Sequence, residues 1–251
     1  EMCIRDRFRG GFVGVGVFFV ISGYLIAGLI IRDRNAGKFS FADFYERRAR
    51  RILPALLVVM ASCVIPALLW MSPSQLKSFS QSLVAVPLFV SNVLFWRTSG
   101  YFDSPADEKP LLHTWSLGVE EQYYLFFPLL IALVWRFGRA TLAGTMLFVI
   151  GISLVMSEYG WRYQPTANFY LGPTRFWEIL LGSLLALVSS TYSVRQDISR
   201  WKREVFSILG LCLIASSVLL FDKTTPTPSF LTLIPVAGAL LDGHFTSLNS
   251  C

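Results

Sequence analysis

Long apolar intervals alternate with short charged islands along this chain. The first interval, "FVGVGVFFVISGYLIAGLII" at residues 12–31, carries no charge. A helix needs roughly 20 such residues to cross the hydrocarbon core of a bilayer. Further intervals follow at 52–71, 79–96, about 115–135, 140–157, 175–192, 205–221 and 229–241, the last being short. No low-complexity linker, coiled-coil heptad run or internal repeat separates them. The pattern predicts an all-α fold, a polytopic transmembrane helical bundle forming one membrane domain.

The charged islands orient that bundle. Residues 32–51 hold Arg32, Arg34, Lys38, Arg47, Arg48, Arg50 and Arg51. Basic residues concentrate in cytoplasmic loops, so this island predicts a cytoplasmic loop. Residues 193–204, with Arg195, Arg200, Lys202 and Arg203, predict a second one. Five apolar intervals lie between the two islands, and an odd number of crossings would separate them. One interval is therefore expected not to cross. The candidates are 79–96 and the stretch around 111–118, as a re-entrant element of the kind tolerated when buried in protein or lining a cavity. Arg136 and Arg139 then fall inside and 158–174 outside.

Composition sharpens this picture. Hydrophobic residues make up 54% of the 251 and charged residues 15%, against about 25% charged in soluble domains. The net charge of +6 is accounted for by basic residues between spans, which removes the case for nucleic-acid binding. Cys63 and Cys212 lie within apolar runs, where a free thiol acts as a small hydrophobe. Cys3 and Cys251 sit at the ends. "EMCIRDR" lacks the architecture of a signal peptide, and "DGHFTSLNSC" turns polar in mid-span. Residues 1–7 are expected to be a non-native leader and 242–251 a non-native tail.

Chemistry gathers in "LLHTWSLGVEEQYYLFFPLL", residues 111–130. A helix from 113 onward would return His113 and Glu120 to nearly the same face, about 20° apart, with Ser116 between them. Glu121 and Gln122 would lie on adjacent stripes. Ionisable groups in membrane segments usually face the bundle interior, and histidine exchanges protons near neutral pH. The alternative is a headgroup-level cap flanked by Trp115, Tyr123 and Tyr124. In "FADFYERRARRILPALL", residues 41–57, Arg47, Arg48, Arg50 and Arg51 precede a span. They suit either plain anchoring or an anion site, since arginine forks match phosphate oxygens. A helix N-terminus near Pro54 would add its dipole. Gly10 and Gly14 fit the small-xxx-small packing pattern. Ser22 is expected to bond its own helix backbone. Arg175 and Glu178, three apart in "YLGPTRFWEILLGSLLAL", can pair on one helix face as a structural or a functional pair. No metal-ligand cluster stands out.

These segments, "GGFVGVGVFFVISGYLI", "FYERRARRILPAL", "PLLHTWSLGVEEQYYLFFPLL" and "PTRFWEILLGSLLAL", occur in an order that strongly resembles the membrane-bound acyltransferase-3 family of bacteria. The resemblance covers about residues 9–240. It implies an inner-membrane, multi-pass O-acyltransferase. Such an enzyme moves an acyl group, as in acetylation, from cytoplasmic acyl-CoA to a hydroxyl of a cell-envelope glycan, such as lipopolysaccharide or peptidoglycan. It assigns the CoA phosphates to Arg48 and Arg51, with Arg47 and Arg50 beside them. It places His113, Glu120 and Glu121 in the catalytic region. Ser22, Ser116, Gln122, Arg175 and Glu178 would line a substrate path.

Two departures accompany the resemblance. The family's essential histidine is expected on a helix upstream of Gly10, so residues 8–241 would be a partial domain, inactive as it stands. Gly16 also stands where the family usually carries Asp. The rival reading is a non-enzymatic glycan or lipid transporter, since polar residues along a membrane path fit that equally well. An acyl-CoA requirement separates the two.

Overall fold

A computed structural model of the chain describes residues 10–99, 108–191, 200–222 and 224–246. The loop arginine at position 195, both terminal cysteines and the expected leader lie outside the described residues. Ten α-helices and no strand occur among those described: α1 (Val13–Asn35), α2 (Phe41–Trp70), α3 (Pro73–Ala85), α4 (Ser91–Arg97), α5 (Thr114–Val134), α6 (Arg139–Tyr163), α7 (Pro165–Tyr170), α8 (Phe176–Thr191), α9 (Arg200–Leu220) and α10 (Leu233–Thr246). Among the described residues, five helical stretches are long and apolar enough to cross a membrane. Many of their large apolar side chains face outward, among them Val58, Leu69, Phe148 and Leu211. A water-soluble monomer rarely exposes so much contiguous apolar surface, and the protein is a multi-pass membrane protein.

The chain divides into two compact units. One comprises residues 1–35, 129–169 and 173–251, and the other 36–128 and 170–172. The boundary within α5 falls at Pro128, whose missing N–H interrupts the helical hydrogen-bond ladder.

In the first unit, α1 and α8 cross so closely that a Cβ on Gly23 would lie 1.9 Å from the Ile179 carbonyl oxygen. One on Gly182 would lie 1.9 Å from that of Val20. The Ser183 hydroxyl donates to Gly23 O at 2.9 Å across the crossing. Small residues allow this approach, and the bond takes the place of apolar burial, which drives little association in lipid. A second crossing joins α9 and α10 at Gly210 and Gly238. The expected Gly10–Gly14 motif is half used: Gly10 lies against the backbone of Val218, whereas Gly14 meets nothing. The last helix runs on through Thr246, past the polarity change at 242, because Asp242 accepts a 2.7 Å hydrogen bond from Ser207 on α9.

In the second unit, α2 begins well before the expected start at 52. Ser40 caps it, accepting from the Asp43 N–H. Thirty residues make a helix about 45 Å long, against about 30 Å of hydrocarbon. About ten residues are surplus, which matches the charged first turns. The basic loop expected over 32–51 is therefore mostly helix, with its turn at 36–40. Pro54 sits inside α2 rather than at a helix N-terminus, so no dipole reaches the arginines from there. The interval 79–96 is not one helix. Ser72, Pro73 and Gln75 start α3 through a capping box, and α3 ends at Ala85 because Pro87 cannot continue it. The chain turns through Phe89 at a φ of 55° and re-enters helix at Ser91.

Candidate functional site

Two clusters of ionisable residues emerge, one in each unit. In the second unit, Arg48 reaches from α2 to α5. Its Nη2 donates to Glu121 Oε1 at 3.1 Å, and its guanidinium lies 3.9 Å over the Tyr124 ring. Both side chains of the ion pair are mostly buried, at 16% and 13% exposure. A guanidinium is planar and weakly hydrated enough to stack and pair at once. Three residues earlier, Tyr45 donates to Leu125 O at 3.0 Å, so two polar contacts tie the same faces of α2 and α5. Arg47, Arg50 and Arg51 are exposed. Arg50 pairs with Glu46 one turn back at 2.7 Å, a surface contact of little energetic weight.

The expected stripe of His113, Ser116 and Glu120 does not hold together. The helix starts at Thr114. His113 lies in the preceding turn, where the Thr114 and Trp115 amides bond back to Leu111 and Leu112. Helical periodicity therefore does not reach His113, and its side chain is exposed. Ser116 is half-buried and donates to His113 O at 3.2 Å. Glu120 is buried, at 3% exposure, in line with the interior placement that the cost of a lipid-facing charge demands.

Gln122 bonds within its own unit. Its Nε2 donates to Phe89 O at 3.0 Å and to Asn92 Oδ1 at 2.9 Å. Asn92, 1% exposed, also donates to Tyr170 O at 3.3 Å. The break after α3 frees carbonyls, and in a membrane each must find a partner within the protein. Gln122 provides one for Phe89 O, while Asn92 bonds the Tyr170 carbonyl and Ser91 Oγ donates to Thr114 O at 2.9 Å. Tyr170 stacks edge-on against Trp115, and burial pushes its phenol pKa up. Asn92 went unnoticed in the sequence, although an Asn inside "LFVSNVLF" is a visible signal.

In the first unit, Arg175 and Glu178 form an ion pair with Nη1 to Oε2 at 3.5 Å, and both are almost wholly buried, at 4% and 1% exposure. Arg175 precedes α8, donates from Nε to Phe169 O at 3.0 Å and lies over the Phe169 ring. Glu178 occupies the first turn of α8, where the helix dipole favours an anion. Its carboxylate faces Gly16 on α1: a Cβ there would lie 3.5 Å from Oε1. Ser153 supports the turn, donating to Pro173 O and accepting from the Trp177 amide. Ser22 lies off the buried stripe of Gly16, Phe19 and Gly23 and is half-buried, so it does not join this pair. Among the described residues no His, Cys, Asp and Glu cluster could hold a metal ion.

Residues 4–249 match a family profile described as an acyltransferase domain. An uncharacterized protein of Haemophilus influenzae is 34% identical over 246 residues, covering 93% of this chain and 98% of that protein. The O-acetyltransferase OatA of Staphylococcus aureus is 36% identical over 219 residues, covering 84% of this chain. YrhL of Bacillus subtilis, provisionally named a peptidoglycan O-acetyltransferase, is 32% identical over 228 residues and 87% of this chain. The chain spans 36% of the length of each of these last two proteins. No solved structure matches the chain.

Proposed function

Because the chain belongs to the acyltransferase family whose domain profile it matches over residues 4–249, we propose that it carries the membrane-embedded part of an O-acetylation reaction. The acyl donor is acyl-CoA on the cytoplasmic side of the inner membrane, and the acceptor is a hydroxyl of a cell-wall glycan. The names of OatA and YrhL support the acetyl group and the peptidoglycan acceptor. The observation that carries the donor half is the basic start of α2: Arg47, Arg50 and Arg51 stand exposed in the surplus turns, with Arg48 behind them held to α5. A row of guanidinium groups at a membrane edge suits the phosphates of CoA.

In the reaction the acceptor oxygen attacks the thioester carbonyl, the C–S bond breaks, and CoA leaves as the thiol once it has gained the acceptor's proton. Base catalysis of that proton transfer typically contributes 10²–10⁴-fold. Buried Glu120 and the neighbouring carboxylate of Glu121 would set the field around the transfer, where fixed charge acts strongly in a dry environment. His113, exposed in its turn, is free to meet a substrate from solvent. Arg175 and Glu178 would serve the acceptor path from their own unit.

Replacing Arg47, Arg50 and Arg51 together with Gln tests the reading. Acyl-CoA binding to the purified protein should fall by tenfold or more and lose most of its salt dependence, because fewer charges remain to be screened. Unchanged binding would remove the donor assignment.

A further inference from the structure

We propose that Glu121 is the internal counter-anion of Arg48, occupying the guanidinium until a CoA phosphate displaces it, and that it thereby sets the affinity of the arginine site. This rests on the acyl-CoA reading above. Three observations carry it. Arg48 is the arginine of its cluster that is mostly buried, and its Nη2 is engaged by Glu121 at 3.1 Å. Its Nε is buried without a hydrogen-bond partner, so the carboxylate uses only part of the donor fork. Tyr124, 2% exposed, holds the guanidinium plane at 3.9 Å and would keep it in place when the carboxylate leaves.

The geometry is therefore that of a prepared anion site carrying a one-point substitute. A phosphate presents several oxygens and can take two donors of the fork at once, whereas Glu121 takes one. Glu121 and the ligand compete for the same guanidinium, so Glu121 lowers affinity while holding Arg48 in its binding position. The competition also supplies a means of release: after transfer, the carboxylate returns to Arg48 as CoA departs. Glu121 is in this sense a positioning residue that acts through Arg48.

The test uses the full chain in detergent or nanodiscs, titrated with CoA and with adenosine 3′,5′-bisphosphate, which carries phosphates without the thiol arm. Glu121→Gln should bind both about fivefold more tightly, the equivalent of about 1 kcal/mol. Glu121→Asp, which keeps the charge but withdraws it by one methylene, should give a smaller gain. In an Arg48→Gln background the Glu121→Gln gain should vanish, because the competition is gone. Wild-type binding with Glu121→Gln unchanged or weaker would overturn this proposal while leaving the donor reading intact. Absence of saturable binding by the wild type would remove both. Failure of both Glu121 variants to fold would show the pair to be structural and would equally end the proposal.

Discussion

Removing Arg175 while leaving Glu178 in place isolates the most deeply buried charge among the described residues. Glu178 is 1% exposed, its nearest cation is Arg175 at 3.5 Å, and neither of its carboxylate oxygens has a closer hydrogen bond. Arg175→Met keeps most of the side-chain volume but strands that carboxylate, and breaking a buried pair from one side costs about 3–5 kcal/mol. Glu178→Gln should cost less, about 1–3 kcal/mol, because Arg175 retains its bond to Phe169 O and its place over the Phe169 ring. Removing both charges, as Arg175→Met with Glu178→Leu, should recover stability relative to Arg175→Met alone. Hydrophobic replacement of a complete buried pair is often neutral or better. For a chain of this size about 1 kcal/mol shifts the midpoint by about 2–4 °C, so the predicted loss for Arg175→Met is roughly 6–20 °C. Thermal unfolding in detergent, followed by tryptophan fluorescence, reads it directly. An Arg175→Met loss no greater than that of Glu178→Gln, or additive losses in the double variant, would refute the pairing argument.

Gly16→Ala should be tolerated and even stabilise by about 0.5–1 kcal/mol, since its Cβ meets Glu178 at ordinary contact distance and alanine favours helix. Gly23→Ala should instead destabilise by about 1–3 kcal/mol or more, because its Cβ would lie on the Ile179 carbonyl; equal melting points for the two variants would contradict the close crossing. Gln122→Leu removes the donor to Phe89 O and Asn92. It should cost about 1–3 kcal/mol for each group left buried and unbonded. Hydrogen exchange at residues 91–97 should rise with it, and an unchanged exchange pattern would place the stability of the break elsewhere.

The class of this protein is legible in its amino acids alone. Apolar intervals of span length, divided by basic islands, admit a helical membrane bundle and little else, because every backbone polar group in hydrocarbon must bond within its own segment or a close neighbour. The motif segments were equally legible, and residue spacing was enough to pair Arg175 with Glu178. Periodicity, however, describes one helix at a time. It carried His113 into a helix that starts one residue later, at Thr114, and it left the arginines of α2 as an undivided cluster.

Which arginine is buried, and against what, was decided by tertiary structure: Arg48 finds Glu121 73 residues further on, because packing places Tyr124 under its guanidinium. The same holds for the carbonyl freed at Phe89 and bonded by Gln122, and for the Glu178 carboxylate set against Gly16. Local propensity selects where a helix begins and which face is apolar. The partner of a buried charge or a broken backbone is selected by which helices cross, and that choice is made by shape and hydrogen bonding between segments far apart in the chain.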